Sequence, residues 1–114
     1  MNALRNSVQL MGNLGRAPEI KTLSSGKILA NFSVATSEYY TNKNGEKVQD
    51  TQWHNVVAWG KTAEIAQKIL DKGTEVAIRG KLVYRAYEDK DGNKKLITEI
   101  VADEIQMLSR KKEA

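Results

Sequence analysis

The clearest alternation of apolar and polar positions lies between Lys27 and Ser37, KILANFSVATS, where Ile28, Ala30, Phe32, Val34 and Thr36 take the even places and Asn31, Ser33 and Ser37 the odd ones. Successive side chains of a strand point to opposite sides, so this segment predicts a half-buried strand with its even set inward. An earlier strand is expected over about Arg5 to Met11 with Val8 and Leu10 inward, and Gly12 and Gly15 of GNLG mark a bend or turn. Gly15 to Gly26, which holds the only proline, Pro18, reads as a connection. Asn44-Gly45 is a strong hairpin signal, so the strand before it is expected to fold back antiparallel onto TQWHNVVAW. In KTAEIAQKILDKG the period changes: Ile65, Ala66, Ile69 and Leu70 form one stripe at helical spacing and Gly73 follows as a terminator, which predicts a helix of about three turns. Thr74 to Tyr87 is a long alternating strand, Asp91-Gly92 a second hairpin turn, and Lys95 to Leu108 a last strand. There Leu96, Ile97, Ile100, Val101 and Ile105 break parity, which points either to a bulge or to a segment covered on both faces.

Three strands, a helix and two more strands are the element order of an all-β OB-fold, a five-stranded Greek-key barrel with one short helix between its third and fourth strands. The expected organisation is one domain over residues 1–108 and a short basic end over 109–114.

Parity also sorts the surface. In the fourth strand Val76, Ile78, Gly80, Leu82 and Tyr84 share one side, and Arg79, Lys81, Arg85 and Tyr87 the other. Burying the cations unpaired costs several kcal/mol each, whereas burying Val76, Ile78 or Leu82 contributes about 1.5 to 3 kcal/mol. The even set is therefore expected inside, with Tyr87 beside Arg85 on an outer basic face. In the third strand Trp53, Asn55, Val57 and Trp59 share a side, opposite His54, Val56 and Ala58. Small aliphatics suit a narrow barrel interior, which assigns both indoles to solvent about 20 Å apart. Exposed indoles are an aggregation hazard unless something flat and partly polar covers them, and nucleobases are such a cover.

Composition narrows the partner. The 114 residues carry a formal charge of +4, with no cysteine and one histidine, which favours a polyanionic partner and leaves no thiolate or multi-histidine metal site. No apolar run is long enough for a membrane span or a signal-peptide core, so a cytoplasmic location is expected. His54 has no second histidine and no serine or cysteine at nucleophile spacing; a packed or subunit-interface role is expected, with no catalytic residue, metal or cofactor. GNLG lacks the Lys-Ser/Thr ending of a P-loop, and Glu88, Asp89 and Asp91, interleaved with Lys90, lack an EF-hand pattern.

The stretches VQLMGNLGRAPEI, ANFSVATSE, TQWHNVVAWGKTAEIA and LDKGTEVAIRGKLVYRAYEDKDGNK resemble bacterial single-stranded DNA-binding proteins of the homotetrameric OB-fold type, from about Asn6 to Leu108. The resemblance implies a non-enzymatic protein that binds single-stranded DNA without sequence preference in replication, recombination and repair, assembled as a homotetramer or dimer. It places stacking aromatics at Tyr40, Trp53, Trp59 and Tyr87 and phosphate contacts at Lys61, Lys72 and Arg85. Parity adds Arg79, Lys81 and the polar Asn55, and it selects Tyr39 where the resemblance selects Tyr40; a bulge would reconcile the two. That family commonly continues into a Gly/Pro/Gln-rich tail with an acidic tip. This chain stops at SRKKEA, as a tailless relative or a trimmed domain, so recruitment of repair enzymes through such a tip is not expected. An adaptor resembling primosomal replication protein N is the second reading, disfavoured by the four aromatics.

Overall fold

The computed structural model describes residues 4–109. Its elements are β1 (Val8–Leu14), β2 (Glu19–Thr22), β3 (Ile28–Thr41), β4 (Lys47–Trp59), α1 (Gly60–Ile69), β5 (Glu75–Glu88) and β6 (Lys94–Ser109). Neighbouring strands run in the order β1-β5-β6-β4-β3-β2, and β1 also pairs with β3 through Asn13↔Ala35 and Leu14↔Val34. This second pairing closes β1, β5, β6, β4 and β3 into a five-stranded OB-fold barrel with the helix between β4 and β5.

The closure depends on Gly12. It lies inside β1 and pairs with Val76, and a Cβ there would run into the backbone carbonyl of Ala35. The strand can pass this close to β3 only without a side chain. Gly12 is thus a crossing point within the strand, and β1 continues to Leu14 where an end near Met11 was expected. The segment read as a plain connection also contains β2, which pairs antiparallel with Ile28–Asn31 of β3 outside the barrel. Four residues are too few for a visible alternation, so sequence pattern did not separate them from the loop.

Alternation is obeyed where the barrel encloses a core. Ala30, Phe32 and Val34 of β3, Val56 and Ala58 of β4, Val76 and Ile78 of β5 and Ile100 and Ala102 of β6 are all buried in one cluster. The helix adds Ala63, Ala66 and Leu70, small residues that let it sit close on the barrel. Ile65, expected in that stripe, is exposed, because two residues beyond Ala63 on a helix is about 200° around the axis. Leu70 ends the helix, and Gly73 serves the following turn with φ 82°, donating its N–H to the Leu14 carbonyl at 2.9 Å.

Bulges account for the change of parity between Ile100 and Ile105, whereas Leu96, Ile97 and Val101 lie in a regular stretch, with Leu96 exposed and Ile97 and Val101 half-buried on the opposite side from Ile100. Pairing between β5 and β6 runs Arg79↔Glu104 and then Gly80↔Ala102, so Asp103 is the extra residue, and a second shift occurs at Glu75/Val76. Ile100 and Ala102 point inward before the first shift and Ile105 packs on the core after it.

Two hairpins project from this body. Asn42 Oδ1 accepts from the N–H groups of Asn44 and Glu46 at the β3–β4 tip, and Asp89 Oδ1 does the same for Asp91 and Asn93 at the β5–β6 tip. Asp89 and Asp91 therefore shape a turn. β4 and β6 meet only at Val56↔Ile100 and Val57↔Val101, in parallel, and then separate. The arms extend the chain to a radius of gyration of 16.2 Å, against about 13 Å for a compact chain of this length. Tyr84, expected inside, is 64% exposed for this reason: it keeps the inward parity, but β5 has by then run past the core.

Candidate nucleic-acid interface

β4 pairs with β3 without a register shift from Leu29↔Trp59 to Thr41↔Lys47. An unbroken strand preserves parity, so Trp53, Asn55 and Trp59 lie on the outer face as expected, while Val57, of the same parity and paired with Val101, is buried. Trp53 is 61% exposed and Trp59 38%, while Val56 and Ala58 are buried on the opposite side. Asn55 is exposed between the two rings.

The two indoles are held differently. A Cβ built on Gly15 would stand 2.6 Å from Cζ3 and 2.9 Å from Cη2 of Trp53, so the six-membered ring rests on the bare backbone of that glycine. Trp59 carries the Lys27 ammonium 5.5 Å from its ring centroid, a cation–π contact that covers part of one face. Sequence reasoning missed both partners. Lys27 shares parity with Leu29, which opposes Trp59, but that proximity is readable only once the β3–β4 register is known. For Gly15 no local signal exists, since the contact spans almost forty residues of chain.

The same register addresses the tyrosines. Tyr39 opposes Gln49 and falls on the tryptophan parity, whereas Tyr40 opposes Val48 on the other. No bulge intervenes between these strands, and both rings are exposed on the projecting arm.

A second outer surface lies on β5, where Lys81, Arg85 and Tyr87 are exposed and share a side. Val101 joins the two surfaces, since it pairs with Val57 of β4 and with Lys81 of β5. The predicted cations on β5 are not equivalent. Arg79 Nε lies 3.3 Å from Asp103 and its Nη2 lies 3.2 Å from Glu104. The bulge at Asp103 puts two consecutive acids within reach of one arginine. Arg85 forms a two-pronged pair with Glu99, whose hydrogen bonds and charge raise the arginine pKa further above its ordinary value. Lys61, Lys72 and Lys81 make no ion pair among the described residues. Lys61 stands two residues beyond Trp59 in the first turn of α1, and Lys72 lies in the loop at the other end of that helix.

His54 is half-buried on the inner side of β4, and its Nε2 is 2.9 Å from Thr36 Oγ1. It lines the cleft left where the arms separate, about 370 Å³ in volume, with Trp53, Leu82, Leu96 and Thr98 among its neighbours. Among the described residues no three acidic or histidine side chains cluster as a metal site, and no helix is long and apolar enough to cross a membrane.

Comparison with known proteins agrees with this geometry. The profile of the Single-strand binding protein family matches residues 5–108. A single-stranded DNA-binding protein of Neisseria meningitidis serogroup A is 44% identical over 108 residues, 95% of this chain and 62% of that protein. Single-stranded DNA-binding protein 1 of Chlorobaculum tepidum is 45% identical over 107 residues, 93% of this chain and 66% of that protein. The chain thus spans a little under two thirds of these relatives. Among solved structures, a Plasmodium falciparum SSB complex with ssDNA superposes with a TM-score of 0.82 at 32% identity, covering 96% of this chain and all of that one. A deletion mutant of the Thermus aquaticus single-stranded DNA binding protein gives 0.78 at 29% identity, over 91% of this chain and 50% of that one. Barrel, exposed aromatics and these matches over nearly its whole length lead to one assignment: the chain belongs to the single-strand binding protein family.

Proposed function

We propose that this chain binds single-stranded DNA without sequence preference and shields it during replication, recombination and repair. The observation that carries the reading is the exposed pair Trp53 and Trp59 on one face of an unbroken strand, with Asn55 between them. Every base has a flat π face, so stacking contributes about 1 to 3 kcal/mol per base whatever the sequence. A duplex hides those faces. Bases stack on Trp53, Trp59 and Tyr87, with Tyr39 or Tyr40 extending the platform along the β3–β4 arm. Lys61, Lys72 and Lys81 hold phosphates, and the arginines of β5 contribute through their paired geometry. No step of chemistry is assigned to the protein.

Assembly as a homotetramer is part of the reading, supported by Met11, Tyr84 and Leu96, large apolar side chains that a lone subunit leaves exposed. The expected setting is the cytoplasm, at the nucleoid. Titration of tryptophan fluorescence with oligo(dT) is the test. Strong, saturable quenching is expected, with equal affinity for mixed-sequence single strands and much weaker binding to duplex. An adaptor working through protein contacts alone gives no quenching. Molecular mass in solution, with and without oligonucleotides, reports the assembly.

A further inference from the structure

We propose that Glu99 is a built-in counter-ion for Arg85 and thereby sets how steeply salt weakens binding on the β5–β6 face, an inference that rests on the proposed function. Arg85 Nε donates to Glu99 Oε1 and Nη2 to Oε2, both at 3.2 Å. Glu99 opposes Val83, so it reaches Arg85 diagonally across the ladder, on the face that also carries Lys81 and Tyr87. Such a fork fixes the plane of the guanidinium. It consumes two of the five N–H donors and leaves the Nη1 edge for an incoming acceptor.

Burial separates this pair from the other arginine cluster. The Glu99 side chain is 12% exposed, whereas Asp103 and Glu104 beside Arg79 are 60% and 64% exposed. The latter can swing into solvent when a phosphate arrives. Glu99 cannot do so without carrying its charge through the packed face, and it remains beside Arg85 when the Nη1 edge is occupied. A phosphate at that edge sits well within a Debye length of about 10 Å from the carboxylate. It gains directed hydrogen bonds but meets a pair with no net charge. Salt dependence follows the charge neutralised on the nucleic acid, with a slope of about 0.7 per phosphate for single strands. Arg85 with Glu99 adds almost nothing to that slope; Arg85 alone adds a full increment.

The test is a charge cycle on the full chain, with oligo(dT) affinity measured by fluorescence between about 50 and 200 mM salt. Glu99→Gln is expected to steepen the log–log slope by about 0.7 and to tighten binding several-fold at the low-salt end. Arg85→Gln combined with Glu99→Gln is expected to restore the wild-type slope. A wild-type slope in Glu99→Gln, or a double variant flatter than wild type by about 0.7, overturns the proposal, because Arg85 then acts as an unpaired cation or lies off the phosphate path. Should Glu99→Gln alone fail to melt cooperatively, the double variant is read together with Arg85→Gln, which is expected to flatten the slope by about 0.7 because Glu99 is left uncompensated beside the phosphate; an unchanged slope in Arg85→Gln overturns the proposal. A wild-type chain that does not bind oligo(dT) overturns the proposed function instead.

Discussion

The outer faces of β4 and β5 were both expected to bind, yet they are built on opposite principles. β4 presents aromatic rings and an amide with few partners of their own: Trp53 leans on a glycine backbone and Trp59 shares one face with Lys27. β5 presents cations that the protein has already largely engaged, Arg79 with Asp103 and Glu104 and Arg85 with Glu99, while Lys81 makes no ion pair among the described residues. Hydrophobic contact is therefore left vacant on one strand while charge is mostly satisfied on the other. On the proposed function, such a surface is expected to draw its affinity from stacking, with a salt sensitivity smaller than a count of lysines and arginines implies.

The sharpest way to break the comparison is to remove the rings. Trp53→Ala is expected to weaken oligo(dT) binding by about 2 to 3 kcal/mol and Trp59→Ala by about 1 kcal/mol, the latter being less exposed and partly covered. Thermal melting is expected to change little for either. Two unfolded variants with unchanged affinity per folded molecule would mean that the rings serve the core. Next in size, Gly15→Ala displaces the Trp53 ring, because the added methyl meets only the end of that side chain. In a Trp59→Phe background it is expected to shift the emission of Trp53 and lose several-fold in affinity with melting retained. Emission and affinity both equal to the parent would show that Gly15 does not orient the ring.

Lys81→Ala tests the charged face. It is expected to flatten the salt slope by about 0.7, worth roughly threefold in affinity between 50 and 200 mM salt, equally for all sequences. No change would place the phosphate path elsewhere. Smallest of all, Lys27→Gln frees the covered face of Trp59; the contact it removes is worth about 0.5 kcal/mol at an exposed site. A higher quantum yield change on DNA binding with affinity within about threefold is expected, read by titration in the Trp53→Phe background.

Much of the fold was legible because burial is periodic. Ala30, Phe32 and Val34 alternate with polar neighbours in a strand whose other side is wet, and two Asx-Gly turns fix where the chain reverses. The indole face followed from the same parity, since it requires only an unbroken strand. Reading failed where a residue's surroundings are set by a distant segment. Tyr84 obeys the inward parity of β5 but has no core beneath it, and Ile65 lost its place to the alanines that let α1 approach the barrel. The four residues of β2 became a strand only because β3 offered them an edge.

The site divides along the same line. Amino-acid order by itself determined which side of β3, β4 and β5 faces solvent along the barrel, because alternation is a local consequence of backbone geometry. Cross-strand neighbours were decided by the tertiary structure. Register brought Glu99 to Arg85, a bulge aimed both Asp103 and Glu104 at Arg79, and barrel closure laid the Gly15 backbone under Trp53. Net charge counts residues, whereas the field a phosphate meets depends on which charges are already paired, and pairing is a property of distances that only the folded chain possesses.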